Sequence, residues 1–479
     1  MGSMRRIIPP CRVAAGVALG ALTLLAAAAT APPCAAETLQ EALGKAYINN
    51  PTLQAARAQL RATDELVPQA LSGYRPTVTI NGSSGAQSTT NTGGDIIARS
   101  SRNLGFSAPS EVDLTVNQPI YRGGGTEASV AQAEATVRAQ RAQLQNVEQN
   151  VLLQVIVAYL DVLRDQAIVD LDRNNVVVLT RQLQATRDRF EFGEVTKTDV
   201  SQAESRLSGA IAERVQAEGQ LEASRAVYRQ LVGDAPGTLR WPEKPAELPA
   251  SEAEARSAAE AYNPAVVSAE YVAQAAEHGV DVVAAQLNPQ ISLQGQLKTE
   301  YDPGTQFDNG RTDVGGIFAQ VTIPLYQAGE TESRVREAKQ TVRQRRDQID
   351  EQRRAAGQAA TAAWQALLAA RAQISAFQDE VKSAQVALEG VRQEQEVGYR
   401  TVLDVLNAEQ ELLTARVNLV RAQHDEIVAA FQVLAAVGRL TATSLGLDVP
   451  RYDEKAYYEQ VRDKFWGLEP PAVPTAPTQ

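Results

Sequence analysis

Cysteine, histidine and methionine each occur only twice in 479 residues, and tryptophan three times. Cys11 and Cys34 both precede the expected start of the mature chain, so a disulfide framework and thiol chemistry are excluded after processing. His278 and His424 have no partners at metal-ligand spacing; both are expected at the surface, and no metal site is implied. Aromatic residues make up 5%, too few for the core of a conventional globular chain of this length. Positive charge is also short. The net charge is −11, the sequence pI is near 5.0, and no lysine or arginine run carries interleaved aromatics, which argues against nucleic acid as a partner. Gly123-Gly124-Gly125 lacks the Lys-Ser/Thr of a phosphate loop and reads as a turn. No nucleophile stands with a base, so neither enzymatic activity nor a cofactor is expected.

Proline is missing from two long stretches, Ile120 to Gly233 and Leu325 to Gly438, and the two are copies of each other. Gly398 minus Gly193, Asp404 minus Asp199, Tyr326 minus Tyr121 and Gly438 minus Gly233 all give 205, with no insertion between them. At that offset Val130, Val137 and Leu144 fall on Val335, Val342 and Ile349, while Val162, Val169, Val176 and Leu183 fall on Leu367, Ile374, Val381 and Leu388. Apolar residues every seven positions among Ala, Gln, Arg and Glu predict helices packed lengthwise as coiled coils. Each copy predicts a long helix, a tight turn at Gly193 or Gly398, and a shorter returning helix. The first long arm, Gly125 to Glu191, spans about 67 residues and roughly 100 Å at 1.5 Å per residue. The returning helix, Thr196 to Val232, covers only about half of that; a short helix opening at Asn50-Pro51 or Asn263-Pro264 and stacked on its end supplies most of the rest.

Arg5, Arg6 and Arg12 precede an apolar run from Val13 to about Ala29 and the small-residue exit Cys34-Ala35-Ala36, which predicts a cleaved export signal over 1–36. A retained membrane anchor, or lipidation of Cys34 after Ala31-Pro32-Pro33, is the rival reading. The mature chain divides into a first repeat over 37–240, a second over 241–445 that opens on a proline-rich linker, and a C-terminal segment over 446–479 whose end, from Pro470, is expected to be disordered.

Pro76 and Pro289 end helical patterns and open alternating ones. Ile291, Leu293 and Leu297 alternate with Gln290, Ser292, Gln294, Gln296 and Lys298; Val112, Leu114 and Val116 alternate with Asp113, Thr115 and Asn117. Strands are predicted near 77–86, 111–121, 289–300 and 313–326, joined by polar loops near 83–110 and 301–312, with Pro76, Pro119, Pro289 and Pro324 at the strand–helix junctions. Apolar on one side and polar on the other, at about ten residues per crossing, is the pattern of a membrane β-barrel. Four strands cannot close one, and an open edge in lipid leaves backbone groups unsatisfied, so the chain is expected to oligomerise.

The Asn-Asn-Pro and Asn-Pro helix starts, the exits Pro119-Ile-Tyr-Arg-Gly-Gly and Pro324-Leu-Tyr-Gln-Ala-Gly, and above all Val397-Gly-Tyr-Arg-Thr-Val-Leu-Asp-Val-Leu-Asn-Ala-Glu409 together resemble the TolC-like outer-membrane efflux proteins over the whole mature chain. The resemblance implies a mainly α fold with a membrane β part: a homotrimer whose twelve strands close a barrel in outer-membrane lipid, above an α-barrel of long hairpins reaching through the periplasm. It also implies a passive duct served by a periplasmic adaptor and an inner-membrane ABC or proton-driven transporter. The segment Tyr452 to Gly467 is similar to members serving type I secretion. By the same resemblance Asp404 is the lumen-facing acid of the tunnel mouth, Arg400 and Asp199 link neighbouring hairpins, and Asn407 stands where a second acid is usual, which implies a weaker charge ring. The residues alone offer a second role: Thr196-x-x-Asp199 and Thr401-x-x-Asp404 both fit a capping box. A periplasmic coiled-coil scaffold or adaptor without a barrel is the alternative; four near-membrane-length strands in matching places favour the duct.

Overall fold

The computed structural model describes residues 37–93, 101–243, 245, 247–305 and 308–471. The expected export signal over 1–36, with both cysteines, and the tail from residue 472 lie outside the described residues. The chain runs α1 (Leu39–Asn49), α2 (Pro51–Asp64), α3 (Leu66–Leu71), β1 (Thr77–Ser84), β2 (Gln87–Gly93), β3 (Ser101–Ser107), β4 (Ser110–Arg122), α4 (Gly125–Glu191) and α5 (Lys197–Val232). It continues with α6 (Glu252–Tyr262), α7 (Pro264–Ala284), β5 (Gln290–Thr305), β6 (Asp308–Thr322), α8 (Glu330–Glu396), α9 (Val402–Ala436) and α10 (Ala456–Val461). Both long arms are 67 residues, and Glu330 minus Gly125 is again 205.

The returning helices α5 and α9 have 36 and 35 residues and leave the upper part of each arm uncovered. Asparagine completes the cover. The Asn50 side chain accepts from Thr52 N–H at 2.9 Å as the N-cap of α2 and donates to the Leu231 carbonyl of α5 at 3.0 Å. Asn263 does the same for α7, accepting from Ala265 N–H at 2.9 Å and donating to the Ala436 carbonyl of α9 at 3.0 Å. The end of one helix and the start of the next are thereby joined through one amide, and proline at the first helical position removes a donor that would otherwise be orphaned. Gly438, at φ +79°, permits the approach: a Cβ there would stand 2.6 Å from the Tyr262 carbonyl oxygen.

β1, β4, β5 and β6 form one antiparallel sheet in that order. Its register places Val78 beside Val116, Ile80 beside Leu114, Leu114 beside Leu297, and Ile291 beside Val321, so one face carries a continuous apolar band. The opposite face is polar and internally bonded: Gln296 donates to Asp113 at 2.9 Å, and Lys298 pairs with Glu111 at 3.1 Å and Glu300 at 3.3 Å. Three expectations are corrected. The segments 83–110 and 301–312 are largely strand: β2 pairs with β3, and β5 and β6 run on to Thr305 and from Asp308, because their alternating polar residues extend the ladders beyond the apolar band. Pro119 lies inside β4 at a register shift, where β1 has already ended its pairing at Asn117, so the missing N–H leaves no β1 partner unsatisfied. The helix α6, ahead of Asn263, was not foreseen; Ser251 caps it through Glu254 N–H at 3.2 Å. Pro76 and Pro289 stand immediately before β1 and β5, and Pro324 lies just past β6.

Around the middle of the arms, α1 and the residues after α9 wrap one apolar core built on Tyr159, Leu152, Ile156, Leu440 and Leu447. The Tyr159 hydroxyl lies 2.8 Å from the Glu37 carbonyl and 2.7 Å from that of Arg240, tying the start of the described chain and the interrepeat linker to α4. The C-terminal segment then covers charged groups. The Arg57 guanidinium lies 4.4 Å from the Tyr47 ring centre and 5.1 Å from that of Tyr452. Asp64 is fully buried, and neither of its carboxylate oxygens has a hydrogen-bond partner. Burial pushes Asp64 up to about 6, against a partial pull downwards from Arg141, and burial likewise raises Glu148 and Glu454. An acid whose folded pKa lies above its unfolded value holds more protons folded than unfolded, so its contribution is fully present below about pH 4 and is lost as pH rises through about 6. Stability should therefore fall between about pH 5 and about pH 7.5, and Asp64→Asn should remove on the order of 1 kcal/mol of that fall. Melting followed by circular dichroism at the two pH values tests this; equal slopes for wild type and variant would contradict it.

Candidate functional site at the hairpin tips

Each long arm ends in the same turn. In the first hairpin Glu194 N–H donates to the Arg189 carbonyl at 3.0 Å and Gly193 N–H to that of Phe190 at 2.9 Å; in the second, Tyr399 N–H donates to Glu394 at 2.8 Å and Gly398 N–H to Gln395 at 3.2 Å. This double closure needs a left-handed residue, supplied by Gly193 at φ +77° and Gly398 at φ +86°. The returning helices then start on capping boxes. Asp199 N–H donates to the Thr196 hydroxyl at 3.3 Å while Thr196 N–H donates to the Asp199 carboxylate at 2.8 Å; Thr401 and Asp404 repeat this at 3.2 and 2.9 Å. The Thr401 backbone and hydroxyl bonds, with the neighbouring Arg400 charge, hold the Asp404 carboxyl below its ordinary range, so it stays ionised at neutral pH.

Within one chain, Arg400 and Asp199 do not pair. Arg400 Nε is 2.8 Å from Glu394 Oε2 of its own hairpin, because Glu394 lies in the last turn of α8, across the Gly398 turn, and Asp199 is taken up by its cap. The hairpins are joined elsewhere. Arg206 of α5 donates to Asn407 Oδ1 of α9 at 2.8 Å. Below that bond Val402 and Leu406, exposed by 4% and 2%, pack into the seam of the first hairpin among Leu179, Leu183, Ala203 and Ala210. The residues 205 earlier are Lys197 and Ser201, which are polar. The repeat is thus broken on one face: α9 carries an apolar contact for the first hairpin, and α5 carries none of the same kind. Inside each hairpin the repeat is kept, with Arg187 to Glu204 at 2.6 Å and Arg392 to Glu409 in the equivalent place.

The sequence reading missed Arg206, Val402 and Leu406. Their signal was available as a departure from the 205-residue repeat. His424 also needs correction: it is buried between α4 and α9, with Nε2 3.0 Å from Asp161 and Nδ1 2.8 Å from Asp425, and His278 is partly covered. Arg164, 2.6 Å from Asp161, completes this cluster beside a groove of about 610 Å³ between α5 and α9. Replacing Leu406 by Ala should cost about 2–3 kcal/mol of local stability, seen as faster hydrogen exchange over 179–183 and 402–406 with the upper part of α4 unchanged. Uniformly faster exchange along α4 would show that the contact supports the whole arm instead.

Sequence comparison adds lineage to this geometry. The sequence model described as outer membrane efflux protein matches residues 42–234 and 255–439, one match to each repeat. The chain is 37% identical over 461 residues to the outer membrane efflux protein BepC of Brucella suis biovar 1, covering 96% of this chain and 97% of that one. It is 27% identical over 422 residues to the outer membrane protein TolC of Vibrio cholerae, covering 85% and 92%. Among solved structures, the Campylobacter jejuni CmeC outer membrane channel superposes with a TM-score of 0.74 over 89% of each chain at 16% identity, a likeness of fold.

Proposed function

Because this chain belongs to the outer membrane efflux protein family, we propose that it acts as a passive conduit whose mouth lies at the hairpin tips and whose closed state is held by contacts between hairpins. It is an outer-membrane channel whose helical tunnel extends into the periplasm, conducting substrates exported by an inner-membrane transporter. The observation that carries the reading is the sheet: four strands with a continuous apolar band on one face and a bonded polar network, which Val314 and Phe318 interrupt, on the other, set at the end of two hairpins with 67-residue arms.

Among the described residues both edges of that sheet, β1 and β6, have no second neighbour, and their directions suit antiparallel pairing of β6 in one copy with β1 in the next. The helices support the same closure. α4 is flanked by α3, through Val67 against Ala133 and Val137, and by α7, whose Ser268 hydroxyl donates to the Ala139 carbonyl at 3.1 Å. α8 has α7 on one flank, through Arg346 to Glu277 at 2.7 Å and Arg353 to Glu270 at 2.6 Å. By the repeat, the other flank of α8 suits α2 and α3 of a second copy. Three copies give twelve strands and six hairpins, the assembly implied by the family resemblance. Detergent-corrected light scattering should give the mass of three chains; two or four would refute it.

The partners in this reading are a periplasmic adaptor and an ABC or proton-driven inner-membrane transporter, with type I protein secretion or drug efflux as the traffic. Asp404, ionised at the mouth, supplies the charge that favours cations and binds multivalent ones. The apolar Val402 and Leu406 contact ties the two hairpins of one chain, so the weaker seam lies between chains, where Lys197 and Ser201 stand. An Arg400 to Asp199 tie across that seam has to compete with Glu394 and the Thr196 cap, and such an exposed pair contributes at most about 1 kcal/mol. Arg400→Ser with Asp199→Ala should raise single-channel conductance in a planar bilayer, and Asp404→Ala should reduce cation preference and block by multivalent cations. Unchanged conductance with a lower melting temperature would leave these residues as caps alone.

A further inference from the structure

Past α10 the chain leaves the helical body and reaches the foot of the sheet. Tyr457 and Val461 are buried, the Tyr457 hydroxyl donates to Glu65 at 2.9 Å, and Tyr458 packs on Val67, Ala133 and Val137, so α10 is firmly seated. Three residues beyond it, the Lys464 carbonyl accepts from Arg75 Nη1 at 3.1 Å, and the Arg75 guanidinium carbon stands 3.9 Å from the Phe465 ring centre. Arg75 is two residues before Thr77, where β1 begins. Lys464 Nζ donates to the Glu469 carbonyl at 2.7 Å and Gly467 turns at φ +111°, closing a small loop. From this anchored loop Phe465 is 69% exposed, Trp466 90% and Leu468 wholly so.

We propose that Phe465, Trp466 and Leu468 form a foot that seats in the periplasmic leaflet of the outer membrane. The inference rests on the channel reading, which puts the apolar face of β1 in lipid. A loop pinned to the residue entering β1 then sits at the level where the bilayer meets the periplasm, the depth at which tryptophan is enriched. Arg75 and Lys464 at the same place suit anionic headgroups. Three large apolar side chains held out by a backbone closed on itself, and fixed by a cation over a ring, match a lipid surface. The foot would set the height of each protomer in the membrane.

The test uses the full channel in vesicles of phosphatidylethanolamine and phosphatidylglycerol with brominated acyl chains. The Trp466 signal is taken as the difference between wild type and Trp466→Phe, which leaves Trp241 and Trp364 in place. Bromines near the headgroup should quench that signal about twofold more than bromines near the chain ends, with little effect of aqueous acrylamide. Quenching by acrylamide alone would show Trp466 in water, and quenching by neither would show it covered by a neighbouring chain; either overturns the foot. Ile80→Trp, on the apolar face of β1, is the control. Quenching of that residue by lipid without quenching of Trp466 leaves the channel reading standing and the foot wrong; no quenching of either defeats both.

Discussion

An arm of 67 residues is stable only if its apolar seam is covered along its whole length, and one side-chain amide in each repeat makes that cover continuous. Asn50 and Asn263 each satisfy an N–H at the start of one helix and a carbonyl at the end of another. Both sets of groups are orphans of helix termini, and a break in the middle of a packed column is where they would otherwise be stranded away from water. With the junction satisfied, the two short helices act as one partner for the arm. The sheet is then presented at one end of the arms and the tips at the other.

The two repeats differ where function asks for a difference. Inside each hairpin the apolar seam and the ion pair nearest the tip repeat at 205 residues, so the two hairpins are alike near their tips. Between them the equivalence ends, because Val402 and Leu406 replace the polar Lys197 and Ser201. Apolar burial is worth more than exposed polar contact, so hairpins of one chain hold together more tightly than the same surfaces hold across a polar seam. In the ring proposed above, the polar seams are the weaker ones.

The middle of the molecule carries a different balance. Asp64, Arg57 and Arg141 are covered by the C-terminal segment without full hydrogen bonding, at a cost that stacking against Tyr452 and Tyr458 offsets only in part. The same segment continues to Arg75 at the base of β1, so one strap connects the buried charges to the foot of the sheet.

Period and repeat were enough to derive the long arms, the tip glycines, the capping boxes at Thr196 and Thr401, the stacked short helices and the amphipathic strands, because each is written within a few residues of chain. The extended outer hairpins were not legible, since polar residues alternating beyond the apolar band read equally well as loops; nor was the burial of His424, whose acidic neighbour Asp161 is 263 positions away. Arg400 shows the limit most clearly. The family resemblance implies a role for it at a mouth, but the choice of Glu394 within the hairpin depends on where the Gly398 turn aims the side chain. The sequence determined which segments are helix, strand and turn, because local hydrogen bonding and hydrophobic period decide those; tertiary structure alone decided which charges meet, because pairing depends on distances between helices that no local pattern encodes.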